Sequence, residues 1–280
     1  MVNAAFEKYY EEIYSSRWNS LRKSLLEDRP AYEFSQGLVK PYFLDYASVL
    51  AARSLRLPAP ALTGSIQHGS AEGPAAILDA CAAPGGKSLV IAASLPPYAM
   101  LLCNEISAER RRRLSDVLDT HLGQGIRAQL RVSGFDAAAQ ARRKSEHGRF
   151  DAILLDAPCS SEAHVLKNDH ALREWTPARP RFLARRQWAL LSSAFLMLKP
   201  GGSLVYCTCA LTNVENDGVA GRLPEKYGSQ AELDPPDFAE GHETEFGKII
   251  LPDLFNCGPI YVARFRKTGN KEHLERLLTK

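Results

Sequence analysis

From residue 76 onward the chain alternates short, unbroken apolar runs with longer segments of helical periodicity. Nothing else in it limits the possible folds so sharply. The runs are AAILDA, AMLLCNE, IRAQLRV, FDAILLDA and GSLVYCT, with a late pair near GKIIL and GPIYVARF. A strand that does not alternate apolar with polar residues must be buried on both faces, and helices are what cover it. The spacing predicts helices at 86–95, 107–120, 136–145 and 181–198. Strands joined by helices make an α/β domain with a mostly parallel sheet.

Ahead of this rhythm, Phe6, Tyr10, Ile13, Tyr14, Trp18, Leu21 and Leu25 recur at helical steps, so residues 6–26 are expected as one amphipathic helix stopped by Pro30. A second helix is expected at 41–55, with Pro41 near its start. LPAPALTGSIQHGSAEGPAA, rich in Pro, Gly and Ser, then marks a boundary. The expected division is a helical N-terminal extension at 1–70 and a catalytic domain at 71–280.

With 280 residues, 45% apolar and 24% charged, the chain has the composition of a soluble globular protein. MVNAAFEKYYEEIY carries acids and no continuous apolar core, which argues against a leader. No run is long enough to span a bilayer, so a cytoplasmic protein without membrane contact is expected. The six cysteines form no CxxC pair and suit neither a disulfide framework nor the usual zinc spacings. No metal is expected.

The first apolar run opens into ILDACAAPGGKS. Its tail resembles a phosphate loop, but that loop needs a glycine where Cys81 stands. GxGxxG is absent too. What remains is a glycine turn that lets backbone approach a ligand. The next strand ends in Asn104-Glu105, a carboxylate where such folds place the acceptor for ribose hydroxyls, and the third ends at Gly134-Phe135-Asp136. A nucleoside held without a phosphate cradle points to S-adenosylmethionine rather than a dinucleotide.

The fourth strand ends in DAPCSS, with Asp156 and Cys159, and the fifth in VYCTCAL, with Cys207 and Cys209. If those strands are neighbours, Cys159 and Cys209 face one pocket. A lone cysteine at a strand end is usually a small buried hydrophobe. Two beside a methyl donor suit methylation at carbon 5 of a pyrimidine, where a thiolate must first add to carbon 6. A small-molecule methyltransferase would explain the donor site but not the two thiols.

DACAAPGGK, NEISAERRRR, DAPCSS and YCTCALTNVEN, in that order, resemble the Nop/Sun group (RsmB/NSUN type) of RNA 5-methylcytosine methyltransferases. The resemblance covers roughly residues 75–268. It implies a Rossmann-like S-adenosylmethionine-dependent methyltransferase fold. It makes Cys209 the nucleophile, gives Cys159 the breaking of the adduct, and places Asp156 between cytosine and cofactor. It assigns Cys81, Ala82, Ala83, Pro84, Gly85, Gly86, Lys87, Glu105, Arg110 and Asp136 to S-adenosylmethionine. The ends, YSSRWNSLRKSLLEDR and ILPDLFNCGPIYVARFRK, are similar to those of the mitochondrial small-subunit rRNA branch. Two departures stand out. Ser161 replaces the usual glycine after PCS, suggesting a stiffer loop, and Ala210 replaces the serine of TCS.

The resemblance makes RNA the partner: small-subunit rRNA first, tRNA as the alternative. A monomer is expected, with an accessory protein or the ribosomal subunit helping to select the target. A catalytically idle RNA-binding factor on the same fold would not need both cysteines. Four basic clusters, Arg110–Arg113, Arg142–Lys144, Arg179–Arg186 and Arg264–Lys267, suit phosphate contact. Trp175 and Phe182 beside the third either stack a splayed base or belong to the core.

Overall fold

The unbroken apolar runs do pair as parallel strands. The computed structural model describes residues 3–57 and 75–269. Its strands are β1 (Tyr32–Phe34), β2 (Tyr42–Leu44), β3 (Ala76–Asp79), β4 (Met100–Asn104), β5 (Leu130–Ser133), β6 (Phe150–Asp156), β7 (Leu198–Thr208), β8 (Ala231–Leu233), β9 (His242–Glu243), β10 (Lys248–Ile250) and β11 (Ile260–Lys267). β1 and β2 form a separate antiparallel pair. The others make one sheet in the order β5-β4-β3-β6-β7-β11-β10-β9, with β8 on β11. β5, β4, β3, β6 and β7 run parallel, whereas β11 joins β7 antiparallel and carries the remaining strands. From β3 the chain winds outward to β4 and β5, then returns to place β6 on β3's other side. The crevice at these carboxyl ends is where such sheets bind ligands.

Successive side chains of one strand serve opposite cores. Ile77, Ala152, Leu154 and Val205 face helices Tyr46–Arg53, Gly86–Ala92 and Ala108–His121. Leu78, Ile153, Leu155, Leu204 and Tyr206 face helix Ala178–Met197 and the shorter helices Ala137–Gln140, Asp217–Ala220 and Arg222–Tyr227. Each fully buried Leu or Ile contributes about 1.5–3 kcal/mol relative to exposure. This is why the runs show no polar alternation. Truncating Leu154, buried in the middle of β6, to Ala would cost about 2–5 kcal/mol.

Four local expectations need correction. The helix at 6–26 is two helices, Ala4–Tyr14 and Trp18–Leu26, joined by a 3-10 turn at Ser15–Arg17. Ser15 has φ of 49°, which breaks the α-helical ladder and folds Trp18 back to stack on Tyr10 at 5.0 Å. Ile13 falls outside the stripe and is 44% exposed. The helix at 41–55 starts only at Tyr46, because Asp45 caps it by accepting from Ala47 N, and Tyr42–Leu44 is strand. In IRAQLRV the first two residues belong to a helical turn, Gln124–Arg127, and only Leu130 onward is strand. The helix expected at 136–145 ends at Gln140, where the next backbone N–H, of Ala141, donates to the Ser193 hydroxyl at 3.2 Å. Most of the expected boundary segment lies outside the described residues.

The two N-terminal helices dock through the predicted stripe. Phe6, Tyr10, Trp18, Leu21 and Leu25 pack with Val165, Leu172, Trp175, Leu211 and Leu251. Trp175 is therefore core, 2% exposed, and not a stacking platform. No described helix is long and apolar enough to cross a membrane.

Candidate active site

The 81–87 loop leaves β3 at the centre of the crevice. Gly85 has φ of 121°, and a Cβ there would lie 3.0 Å from Val117. A Cβ on Gly86 would lie 3.0 Å from the Tyr42 ring. Both glycines are needed for the loop to lie this close to its neighbours. Lys87 Nζ donates to Asp156 Oδ2 at 2.8 Å and to Ser48 Oγ at 3.2 Å, so the loop is tied to the tip of β6. Burial, the largest single influence, lowers the Lys87 pKa, but the Asp156 charge and hydrogen bond together with the nearby Cys207 and Cys209 outweigh it and hold the ammonium above its usual range. Tyr42, Ser48 and Asp79 line the same cavity as the loop. Sequence reasoning passed over all three.

Asp79 carried a legible signal, an acid at the end of the first apolar run. It is fully buried, and burial pushes its pKa up to about 7. Ser88 donates to its Oδ2 at 2.7 Å, while Oδ1 has no partner. An orphaned buried oxygen beside the loop is a ready acceptor for a ligand donor.

A second cavity opens between the tips of β3, β4 and β5. Cys81, Asn104, Glu105, Arg110, Asp136 and Phe182 line it. Glu105, only 3% exposed, accepts from Ser107 N at 2.9 Å and faces Arg110 at 3.2 Å. Arg110 also donates to Ala83 O at 2.8 Å, bridging the acid to the loop. Asn104 holds the strand ends together, donating to Ala80 O and Phe135 O. Asp136 does two jobs. It lines the cavity and caps helix Ala137–Gln140 by accepting from Ala138 N at 3.0 Å. Deep acid, glycine loop, Asp136 and exposed Phe182 face suit a nucleoside bearing a short charged chain.

β6 and β7 are neighbours, and their ends bring the expected thiols together. Cys159 Sγ and Cys209 Sγ lie 2.9 Å apart, with Ser161 Oγ 3.2 Å from Cys209 and 3.5 Å from Cys159. The contact splits the pair. Donation from Cys159 lowers the Cys209 pKa below the usual thiol range against the opposing effect of burial, and the Ser161 hydroxyl adds to the lowering. That same contact, with burial, pushes Cys159 well up. Cys209 is thus the better thiolate and Cys159 the proton carrier. Cys207 is fully buried, 3.6 Å from Asp156, and burial pushes it far above the usual range, so it is inert at neutral pH. Ala210 is fully buried, and its backbone N donates to Thr208 Oγ1 at 3.2 Å.

Beneath the thiols lies a buried carboxylate pair that sequence reasoning missed. Glu162 and Glu215 both receive the Ser160 hydroxyl contact, and Tyr10 donates to Glu162 at 2.5 Å. Glu162 also accepts from Leu211 N at 3.2 Å, two residues beyond Cys209. Burial, then the neighbouring Glu215 charge, pushes Glu162 up to about 7. These acids sit inside CSSE and NVEN, where nothing local distinguishes them from solvated carboxylates.

Of the four basic clusters, the last is structural. Arg264 is fully buried and donates to Asp234, Ser54 O and Pro235 O, and Arg266 pairs with Glu232. Lys267 donates to three backbone carbonyls. These residues knit β11 to its surroundings and do not face a phosphate. Arg111 is similarly turned onto Glu105 O and Ile106 O. Arg142, Arg143 and Lys144 are exposed. Arg179, Arg181, Arg185 and Arg186 surround Phe182, which is 62% exposed at the rim of the second cavity.

A parallel sheet wound from a central strand, a glycine loop at that strand's end and acids at the next two tips define a Rossmann-like S-adenosylmethionine-dependent methyltransferase fold. The model of the 16S rRNA methyltransferase RsmB/F family matches residues 70–266. The chain belongs to that family, which lies within the Nop/Sun RNA 5-methylcytosine methyltransferases and is S-adenosylmethionine-dependent. It is 37% identical over 222 residues to the ribosomal RNA small subunit methyltransferase F of Salmonella arizonae and to that of Salmonella typhi, covering 78% of this chain and 44% of those proteins. The chain thus spans less than half the length of these curated relatives. Among solved structures, NSun6 from Pyrococcus horikoshii, crystallised with SFG, is 24% identical with a TM-score of 0.64, over 85% of this chain and 55% of that one. A methyltransferase homolog from the same organism has a TM-score of 0.68 at 19% identity, over 94% of both chains, and supports the fold. The narrower likeness to the mitochondrial branch does not follow from these matches.

Proposed function

We propose that this chain methylates carbon 5 of a cytosine in small-subunit rRNA through a covalent adduct on Cys209. The observation that carries the reading is the 2.9 Å thiol pair beside the Lys87–Asp156 pair, at the mouth of the cofactor crevice. Residues 81–87, Glu105, Arg110 and Asp136 would hold S-adenosylmethionine, which when bound would supply an electrophilic methyl group. Cys209 Sγ, as thiolate, adds to C6, and the displaced π electrons make C5 nucleophilic. Asp156, fixed by Lys87, is set to accept from the ring's exocyclic amine and orient it. After C5 is alkylated, a base removes its proton, the C5–C6 double bond re-forms and the pair of the C6–S bond returns to Cys209. Cys159, protonated at neutral pH, lies against the departing sulfur and assists that release. The Arg179–Arg186 segment is the surface offered to RNA phosphates, with the folded ribosomal subunit or an accessory protein contributing to target selection.

The test is transfer of tritium from labelled S-adenosylmethionine to small-subunit rRNA, followed by nuclease digestion and nucleoside separation. Label in 5-methylcytidine is expected. Label in another nucleoside, or transfer only to tRNA, overturns the reading.

A further inference from the structure

The PCSS turn contains a residue that the local backbone disfavours. Ser161 has φ of 52° and ψ of 60°, a left-handed conformation that glycine adopts freely and serine does not. Among the described residues only Ser15 and Arg56 share a positive φ with a side chain. The conformation aims the Ser161 hydroxyl between the two sulfurs. Its neighbour Ser160 is turned the other way, into the buried Glu162 and Glu215 carboxylates.

We propose that Ser161 is a positioning residue for the nucleophile, its hydroxyl donating to Cys209 Sγ and holding that sulfur ready as a thiolate. The proposal rests on the reading of Cys209 as the nucleophile and deepens it. The hydroxyl has one proton and three acceptors in reach: Cys209 Sγ at 3.2 Å, Cys159 O at 3.4 Å and Cys159 Sγ at 3.5 Å. The shortest contact is to Cys209, and an anionic sulfur is the strongest acceptor of the three. Of the charges around it, Asp156 and Glu162 are acids that disfavour a thiolate, whereas the Lys87 ammonium favours one without touching the sulfur. Lys87, the neighbouring cation, is already bound to Asp156 and Ser48. The donors in direct contact with the anion are neutral, the Cys159 thiol and the Ser161 hydroxyl. Once Cys209 is bonded to C6, its thioether sulfur is a poor acceptor, and the hydroxyl can turn to Cys159. When the C6–S bond breaks and the electron pair returns to Cys209, the hydroxyl is in place to receive it again.

The experiment is the rate of Cys209 alkylation by iodoacetamide against pH, read by peptide mass spectrometry on the full chain without RNA. Mass spectrometry separates the Cys209 peptide from that of Cys159. Ser161→Gly keeps the left-handed turn without strain and removes the hydroxyl, whereas Ser161→Ala keeps the strain and removes it too. Both should move the Cys209 midpoint upward by about one pH unit, slowing alkylation at pH 7 by up to about tenfold. An unshifted midpoint in Ser161→Gly overturns the proposal, whatever Ser161→Ala does, since any change confined to alanine reports the backbone. A shift in glycine alone overturns it as well. Alkylation reads the thiol and not the methyl transfer, so failure here leaves the covalent mechanism standing. Failure of the RNA adduct would leave this titration readable.

Discussion

Cys159 and Cys209 are separated by 50 residues in sequence, yet their sulfurs meet at 2.9 Å because β6 and β7 are adjacent parallel strands ending at the same level. The proximity makes the two thiols unequal, with the lowered one following β7. If Cys209 bonds to C6, Cys209→Ser should abolish methyl transfer and any covalent RNA complex, since a hydroxyl is far less ionised at neutral pH. Cys159→Ala should still attack and then stall, leaving a band shifted on a denaturing gel. It also removes the donor that lowers Cys209, so its adduct should form more slowly at pH 7 and recover as the pH rises. A shifted band from Cys209→Ser and none from Cys159→Ala would mean the roles are reversed.

Lys87 and Asp156 join the cofactor loop to the cytosine side at 2.8 Å. Side chains 14% and 33% exposed keep some solvent screening, so the pair is worth less than a fully buried one. Lys87→Met should cost on the order of 1–3 kcal/mol by leaving Asp156 unpaired. Asp156→Asn in the Lys87→Met background should restore part of that stability without restoring activity. Urea unfolding of the four proteins in a double-mutant cycle checks this. Additive losses would show that the contact contributes nothing to the fold.

Glu105 is the deepest acid in the second cavity, and its partners Ser107 N and Arg110 already satisfy part of its charge. Glu105→Ala should weaken S-adenosylmethionine binding by about 1.5–3 kcal/mol, the value of a charge-assisted contact to ribose hydroxyls. Calorimetry on a variant that melts normally would remove Glu105 from the site if the affinity were unchanged.

The strands and the motif loops were legible because burial on both faces leaves an unbroken apolar signature and because the strand tips carry the chemistry. Glu105, Cys159, Cys209 and the 81–87 loop all lie where that reading places them. What escaped it depends on partners distant in sequence. Ser48 reaches Lys87 across 39 residues and Tyr10 reaches Glu162 across 152, and neither sits in a motif. Arg264 reads as surface charge until β11 is seen buried between β7 and β8. Ser15 carries no helix-breaking signal of its own, and the turn there is held by tertiary contacts: Trp18 stacks on Tyr10 and donates to Glu7, which also pairs with Arg22.

The Tyr10–Glu162 contact ties the N-terminal helix to the floor under the thiols, and it makes stability depend on pH. Glu162 has its folded pKa raised from 4.5 to about 7, by burial first and by Glu215 second. Between those values the folded state holds the proton and the unfolded state does not. The stabilisation is therefore fully present below about pH 4.5 and is lost as the pH rises through about 7. The Glu162→Gln variant cannot titrate at this position, so the stability of the native protein relative to it should fall between about pH 4.5 and 7 by on the order of 3 kcal/mol and level off above. Tyr10→Phe removes a donor that favours the carboxylate. It should displace the same window to higher pH and cost about 1–2 kcal/mol, with the greater loss above neutrality. Chemical denaturation across that range, at fixed ionic strength, measures both. A stability difference between the native protein and the Glu162→Gln variant that stays flat with pH would mean Glu162 ionises normally in the folded chain, and the buried pair would then have to be held by a counter-charge.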